Sequence, residues 1–219
     1  MHQTVQNLIS IEKSIINNLE DQSINKIPKI IAVSKTFSMD KILPLIEYGH
    51  VNYGENKVQE AIDKWTETKS KTPNIKLHMI GKLQTNKVKF AVQIFDYIHS
   101  VDSEKLAKKI ADEQNKIKKK IKIFLQVNIG DENQKSGINK NDVIQLVSYC
   151  KEIDLDLIGL MCIPPANIEP ESYFKEMNKL KETLELTELS MGMSSDFLIA
   201  AKHFSTYVRV GSSIFGQRF

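Results

Sequence analysis

The sequence predicts an α/β fold, a (β/α)8 barrel of the TIM type with one extra helix at its N-terminus and no second domain. Three observations carry that expectation. Eight short apolar segments alternate with amphipathic ones along the 219 residues, and such alternation favours a parallel sheet because each helix returns the chain to the start of the next strand. No linker or shift of composition divides the chain, so residues 1–219 read as a single domain. No GxGxxG fingerprint follows the first strand, where a doubly wound open sheet, the alternative architecture, would usually show one. Eight units in about two hundred residues suit a small closed barrel.

Residues 3–20 put Val5, Leu8, Ile9, Ile15, Ile16 and Leu19 on one helical face, with Ile11 beside it and Glu12 interrupting the stripe. A polar loop from Asp21 to Pro28 leads into the first strand, Lys29 to Lys35, whose unbroken apolar run suits burial on both faces. Ser38 is placed to cap a helix over Asp40–Tyr48 that Gly49 stops, and Pro44 should break or kink its first turns. His50–Tyr53 is the second strand, and a helix opening in Gly54-Glu-Asn-Lys-Val-Gln-Glu60 runs on to Lys69. Ile75–Ile80 is the third, closed by Gly81 and followed by a helix over Gln84–Val92. Phe95–Ser100 is the fourth, with a charged helix over Ser103–Lys119. Ile121–Ile129 is the clearest strand, and the polar loop Gly130–Gly137 leads from it to a helix at Asn141–Glu152. Leu155–Met161 precedes a Pro164-Pro165 loop and a helix over Ser172–Leu186. Glu188–Met191 and Thr206–Val210 complete the set around a short helix at Asp196–Lys202.

Composition narrows the function classes. Hydrophobic residues make up 41% and charged residues 26%, ordinary values for a globular protein with a full core. Thirty basic against 27 acidic residues leave +3, too balanced for a nucleic-acid or anionic-membrane surface. The one basic run, Lys116 to Lys122, has no interleaved aromatics for base stacking. No signal core or membrane-length apolar run is present, and two cysteines without a CxxC fit a reducing cytoplasm. Five scattered histidines lack ligand spacing, so no metal is expected. Only Arg209 and Arg218 are arginines, in a chain that otherwise uses lysine for positive charge. That skew singles out Arg209 as a position needing a rigid donor fork or a permanent charge.

A barrel opens its βα loops on one face, and Lys35 would stand there, at the carboxyl end of the first strand. A lysine against apolar walls has its charged form disfavoured, so its amine can act as a Schiff-base nucleophile. The plainer alternative is a strand-end lysine reaching to water. The loops Met191-Gly-Met-Ser-Ser-Asp196 and Arg209-Val-Gly-Ser-Ser213 follow strands seven and eight, where barrels often bind phosphate. The alternative for each loop is a glycine turn with serine caps. A phosphate clamp facing a Schiff-base lysine implies a phosphorylated carbonyl ligand. Pyridoxal 5'-phosphate (PLP) satisfies both ends, and Arg209 is placed to meet its pyridine nitrogen.

The motifs AVSK at Ala32–Lys35, GENKVQE at Gly54–Glu60 and His78-x-Ile-Gly-x-Leu-Gln-x-Asn-Lys87 lie in the first half of the chain. KSG at Lys135–Gly137, GLMCIP at Gly159–Pro164, LSMGMSSDF at Leu189–Phe197 and RVGSSIFGQR at Arg209–Arg218 follow. With these stretches the chain resembles the pyridoxal phosphate homeostasis protein family, PLP-binding proteins of the alanine-racemase N-terminal-domain type. The resemblance implies that Lys35 carries PLP as an aldimine, that Arg209 faces the pyridine nitrogen, and that Ser194, Gly211 and Ser212 hold phosphate. It implies that Asn56, His78 and Met191 line the pocket. The chain departs from the family pattern at Leu77, where tryptophan is common, at Lys57, where tyrosine is frequent, and at Ser212, which replaces threonine. Structural alternatives remain for His78 as a satisfied core histidine, for Asn56, Gln84 and Asn86 as helix caps, and for Lys135 as a solvated side chain.

The function the resemblance implies is PLP binding in intracellular PLP homeostasis, with exchange of the cofactor and possible handover to apo PLP-dependent enzymes. An arginine at the pyridine nitrogen weakens the ring as an electron sink, and the chain ends at Phe219, a few residues past strand eight, leaving nothing for a lid domain. Both features argue against an efficient amino-acid enzyme. The alternative is a small fold-type III PLP enzyme such as an amino-acid racemase, drawing a second base from His78 or a pocket tyrosine. A cofactor-free Schiff-base aldolase is a third reading. A cytoplasmic monomer without nucleic-acid or membrane partners is expected.

Overall fold

The computed structural model describes residues 1–20, 26–132, 136–166 and 168–217. Predicted features at residues 21–25, Lys135 and Arg218 lie outside these. The strands β1 (Lys29–Val33), β2 (Asn52–Glu55), β3 (Lys76–Met79), β4 (Tyr97–Val101), β5 (Lys122–Val127), β6 (Asp156–Cys162), β7 (Glu188–Ser190) and β8 (Tyr207–Val210) pair in chain order. All pairings are parallel, and β8 returns to β1 to close the barrel. The expected barrel is therefore the observed one.

The helices alternate with the strands: α2 (Met39–Tyr48), α3 (Val58–Lys71), α4 (Val88–Ile94), α5 (Glu104–Lys116), α6 (Val143–Glu152), α7 (Glu171–Thr183) and α8 (Phe197–Lys202). Two features lie outside that count. The N-terminal α1 (Gln3–Glu20) is the extra helix, and a short α9 (Ser212–Phe215) follows β8. Four local expectations need correction. β2 begins two residues later than the apolar run suggested, because Gly54 and Glu55 pair with His78 and Met79. Helix α2 runs through Pro44 without a break, and Ser38 precedes it without a side-chain cap bond. In α1, Ile11 belongs to the buried face while Ile16 is 36% exposed.

Two hydrophobic layers follow from the period-two alternation of the strands. Ile30, Ala32, Tyr53, Leu77 and Val208 face outward into the main core beneath the helices. Ile31, Tyr97, Phe124, Met161 and Tyr207 face inward and fill the barrel. The interior is therefore packed, as in other barrels of this kind, whose ligands bind at the carboxyl end. Helix α1 lies across the β8 side, where Asn7 Nδ2 donates to the Ile214 carbonyl at 2.9 Å and Asn18 Nδ2 to the Leu198 carbonyl at 3.0 Å. Those contacts anchor α9 and α8, the short helices that follow the two predicted clamp loops.

Candidate functional site

Alternation along β1 and β8 assembles the site. Lys29, Ile31, Val33 and Lys35 share the inner face of the first strand and its extension. The pairing of Ile31 with Arg209 sets Tyr207, Arg209 and Gly211 on the same face of the neighbouring strand. A cleft of about 450 Å3 opens there, at the carboxyl end of the barrel. Its polar lining comprises Lys35, Ser194, Ser195, Arg209 and Ser212, and its apolar lining Val33, Ile80, Ile163 and Met193, with Gly211 between. Two cations and three hydroxyls, with no carboxylate among the described lining residues, suit an anionic ligand.

The two small-residue loops meet directly. The Gly211 N–H donates to Ser194 Oγ at 3.4 Å, and the Arg209 N–H donates to the Gly192 carbonyl at 2.9 Å. Gly192 has φ +90°, and a Cβ on it would stand 2.5 Å from Ala200 Cβ, so only glycine fits this turn. Asp196 Oδ1 accepts from the Met193 N–H at 2.6 Å and holds the loop's far side. Within α9 the backbone bonds begin at the N–H of Ile214, which leaves the N–H groups of Ser212 and Ser213 at the cleft-side start of the turn. Such a donor set suits an anionic group.

Arg209 is 4% exposed and fixed by three hydrogen bonds. Nη1 donates to the Ser190 carbonyl at 2.7 Å and to Ser190 Oγ at 2.8 Å, and Nη2 donates to the Cys162 carbonyl at 2.9 Å. Three of its five N–H donors are thereby committed, and the rest can serve a ligand in the cleft. Burial lowers its pKa from the usual range, while the nearby Cys162 thiol is pushed up to about 12 by its own burial. Cys162 is therefore a neutral thiol and no nucleophile at pH 7.

Behind Lys35 lies a network that sequence reasoning missed. Glu55 is fully buried, and its Oε1 accepts from Ser34 Oγ at 2.7 Å, Lys64 Nζ at 3.0 Å and Trp65 Nε1 at 3.0 Å. Lys64 Nζ also donates to the Ser34 carbonyl at 2.9 Å and pairs with Glu60 Oε1 at 2.9 Å. Glu60 in turn accepts the Thr36 N–H. Both neighbours of Lys35 are thus held from one side, and Thr36 sits at φ +68°, a strained position for a β-branched residue. The signal was present in GENKVQE, whose two acids flank a helix start, but their common target was invisible without the packing of α3. Glu55→Gln keeps an acceptor and removes the charge facing Lys64. It should cost about 2–3 kcal/mol, seen as a fall of about 4–12 °C in the thermal midpoint. An unchanged midpoint would make the carboxylate dispensable.

Lys35, Ser194, Arg209, Gly211 and Ser212 converge on the cleft, whereas three other predicted residues do not line it. His78 is fully buried in the barrel below, stacked on Tyr97 at 4.2 Å and bonded through both ring nitrogens. Its strand position is one layer too deep. Met191 packs in the outer core, because the inward residue of β7 is Ser190. Asn56 borders a neighbouring depression with Lys57, Lys82 and Gln84. It is not a helix cap either: the residue before α3 is Lys57, and Asn56 Oδ1 is buried without a partner among the described residues. Leu77 faces the outer core, so its exchange for tryptophan concerns packing and leaves the cleft rim untouched. Among the described residues no cluster of metal-ligating side chains occurs, and no helix is long and apolar enough to cross a membrane.

Fold and cleft together define a TIM-barrel protein with a lysine, a buried arginine and two serine-bearing loops on one cleft at its carboxyl end. The chain belongs to the alanine racemase N-terminal domain family, whose model matches residues 13–218, and within it to the pyridoxal phosphate homeostasis proteins. It is 34% identical to the pyridoxal phosphate homeostasis protein of Pasteurella multocida over 97% of each chain, and 36% identical to that of Aquifex aeolicus over 87% of each. The structure of PipY from Synechococcus elongatus with PLP bound is 33% identical, with a TM-score of 0.81 over 92% of this chain and 98% of that one. Alanine racemase of Clostridium difficile shares the fold, with a TM-score of 0.70 at 13% identity, and this chain covers 56% of it.

Proposed function

We propose that the protein binds PLP in this cleft, holds it as an aldimine on Lys35, and exchanges it within the cell as part of PLP homeostasis. The observation that carries the reading is the convergence of Lys35, Arg209 and the two bridged loops on one cleft. PLP bound there supplies an aldehyde that condenses with amines and an electron-withdrawing ring. The loops of Ser194 and Gly211 would hold its phosphate, and Arg209 would donate to its pyridine nitrogen. As a permanent donor, Arg209 leaves that nitrogen unprotonated. PLP bound to the PipY relative supports the same ligand here.

The lining also supports a carrier over a racemase. Racemisation by two bases needs a second acid/base group beside the lysine. Among the described lining residues the others are serines, an arginine and apolar side chains. The interior candidates are poor bases: burial drives the His78 pKa well below its usual value and raises that of Tyr207. The test has two arms. PLP-loaded protein incubated with L-alanine and other L-amino acids should yield only slow background D-isomer, amine or keto acid. Mixed with an apo PLP-dependent enzyme, it should restore activity, and recovery faster than with the same amount of free PLP would add direct handover. Racemisation or decarboxylation at ordinary enzymatic turnover, about 1 per second or more, would overturn the carrier reading in favour of the enzyme.

A further inference from the structure

Below the cleft the barrel interior holds a continuous string of polar groups that ligand contact does not account for. Arg209 Nη1 meets Ser190 Oγ at 2.8 Å, and Ser190 Oγ lies 2.8 Å from His99 Nδ1. His99 Nε2 lies 2.9 Å from His78 Nδ1, and His78 Nε2 lies 3.1 Å from Asn52 Oδ1. Ser190, His99 and His78 are fully buried. The string starts at the cleft and ends at Asn52, the first residue of β2, at the opposite end of the barrel.

We propose that Ser190, His99 and His78 form a one-directional hydrogen-bond chain, every proton pointing away from Arg209, that stands in for a counter-ion and positions the guanidinium. The direction follows from donor arithmetic. A guanidinium can only donate, so Ser190 Oγ accepts from it. The single Ser190 proton has one remaining partner among the described residues, His99 Nδ1, which must be bare. A neutral His99 then carries its proton on Nε2 and gives it to His78 Nδ1. His78 carries its own on Nε2 and gives it to Asn52 Oδ1. Reversing the string would bury the Ser190 proton without an acceptor, and a cationic ring would set two donors face to face.

The surroundings agree with two neutral rings. Burial pushes both imidazoles far below their usual range; His99 is pushed further by His78 and Arg209, and His78 by His50, Lys29 and Lys69. Stacking fixes the rings, His78 on Tyr97 and His99 on Phe124, each at 4.2 Å. The described hydrogen bonds of Arg209 go to Ser190 and Cys162, none to a carboxylate. A buried cation hydrogen-bonded to no carboxylate is costly. Aligned dipoles, each turning its electron-rich end toward Arg209, reduce that cost and strengthen one another.

The tautomers can be read in ligand-free protein, whereas the effect on PLP rests on the function proposed above. Nitrogen-15 NMR of histidine-labelled protein should find His78 and His99 neutral with the proton on Nε2. A proton on Nδ1, or a cationic ring near neutral pH, would overturn the chain. His99→Gln presents an oxygen toward Ser190 and an N–H toward His78, preserving the order of acceptor and donor. His99→Phe keeps an aromatic ring for stacking and cuts the chain. His99→Phe and Ser190→Ala should weaken PLP binding about tenfold or more and shift the visible absorption of the bound cofactor, while His99→Gln stays near wild type. Equal affinity and spectrum in all three variants, or equal loss in both His99 variants, would overturn the positioning role. Wild-type protein that fails to bind PLP would sink the cofactor reading while the NMR result still decides the chain.

Discussion

Lys35→Ala is expected to abolish covalent retention of PLP while the barrel stays folded. Wild-type protein treated with borohydride should carry a pyridoxyl group on the peptide containing Lys35, and the variant should carry none there. The substitution is benign for the fold, since Lys35 is half-buried just past the end of β1 and the ladder bonds end before it. The turn itself is held from behind by Glu55, Lys64 and Glu60, none of which uses the Lys35 side chain. With the phosphate cradle intact, the variant should still bind PLP non-covalently, weaker by about 10–100-fold for the loss of a charge-assisted partner. Surface lysines form adventitious Schiff bases, so the peptide map is the deciding measurement. A pyridoxyl group on another lysine in wild-type protein, or unchanged retention in the variant, would move the site elsewhere.

The barrel was legible because period-two and period-3.6 patterns alternate without interruption, and a parallel sheet leaves few other ways to join such units. That Lys35, Arg209 and the two small-residue loops share one face was legible for a related reason. Their strand ends are set by apolar runs, and the carboxyl end of each strand opens on the same face. Depth along the strand axis was not legible. His78 and Ile80 share the inward face of one strand, and only the barrel's stagger decides that Ile80 reaches the cleft while His78 lies a layer below. A single residue of register likewise moved Met191 to the outer core and brought Ser190 against Arg209. Glu55 and His99 escaped notice for a different reason: each is a polar residue in an apolar strand, and their partners Lys64 and Ser190 come from elements whose packing no local pattern encodes.

Gly211→Asp should cost more PLP affinity than any other clamp substitution. Gly211 follows the inward-facing Arg209 by two residues, so an added side chain points into the space beside Val33. Its Cβ would stand 3.3 Å from Val33 Cβ, a contact that a small shift relieves. Sterics alone therefore predict a mild effect, and Gly211→Ala measures it. Aspartate adds a charge close to the cradle formed by Ser194 and the start of α9. At about 4 Å, with an effective dielectric constant of about 20, each unit of like charge repels by about 4 kcal/mol, and a phosphate of charge about −1.5 to −2 raises the loss to about 6–8 kcal/mol, more than ten-thousandfold in affinity. By contrast, Ser194→Ala with Ser212→Ala removes hydroxyl donors worth about 1.5–3 kcal/mol each against a charged acceptor. The expected order of dissociation constants is wild type, Gly211→Ala, the double serine variant, then Gly211→Asp, with native circular dichroism throughout. Spectroscopic titration with PLP gives the order directly. Titration with pyridoxal, which lacks the phosphate, supplies the internal control, because Gly211→Asp should lose far less affinity for it. Equal losses for both ligands would mean that the aspartate acts by distorting the cleft and that the phosphate binds away from Gly211.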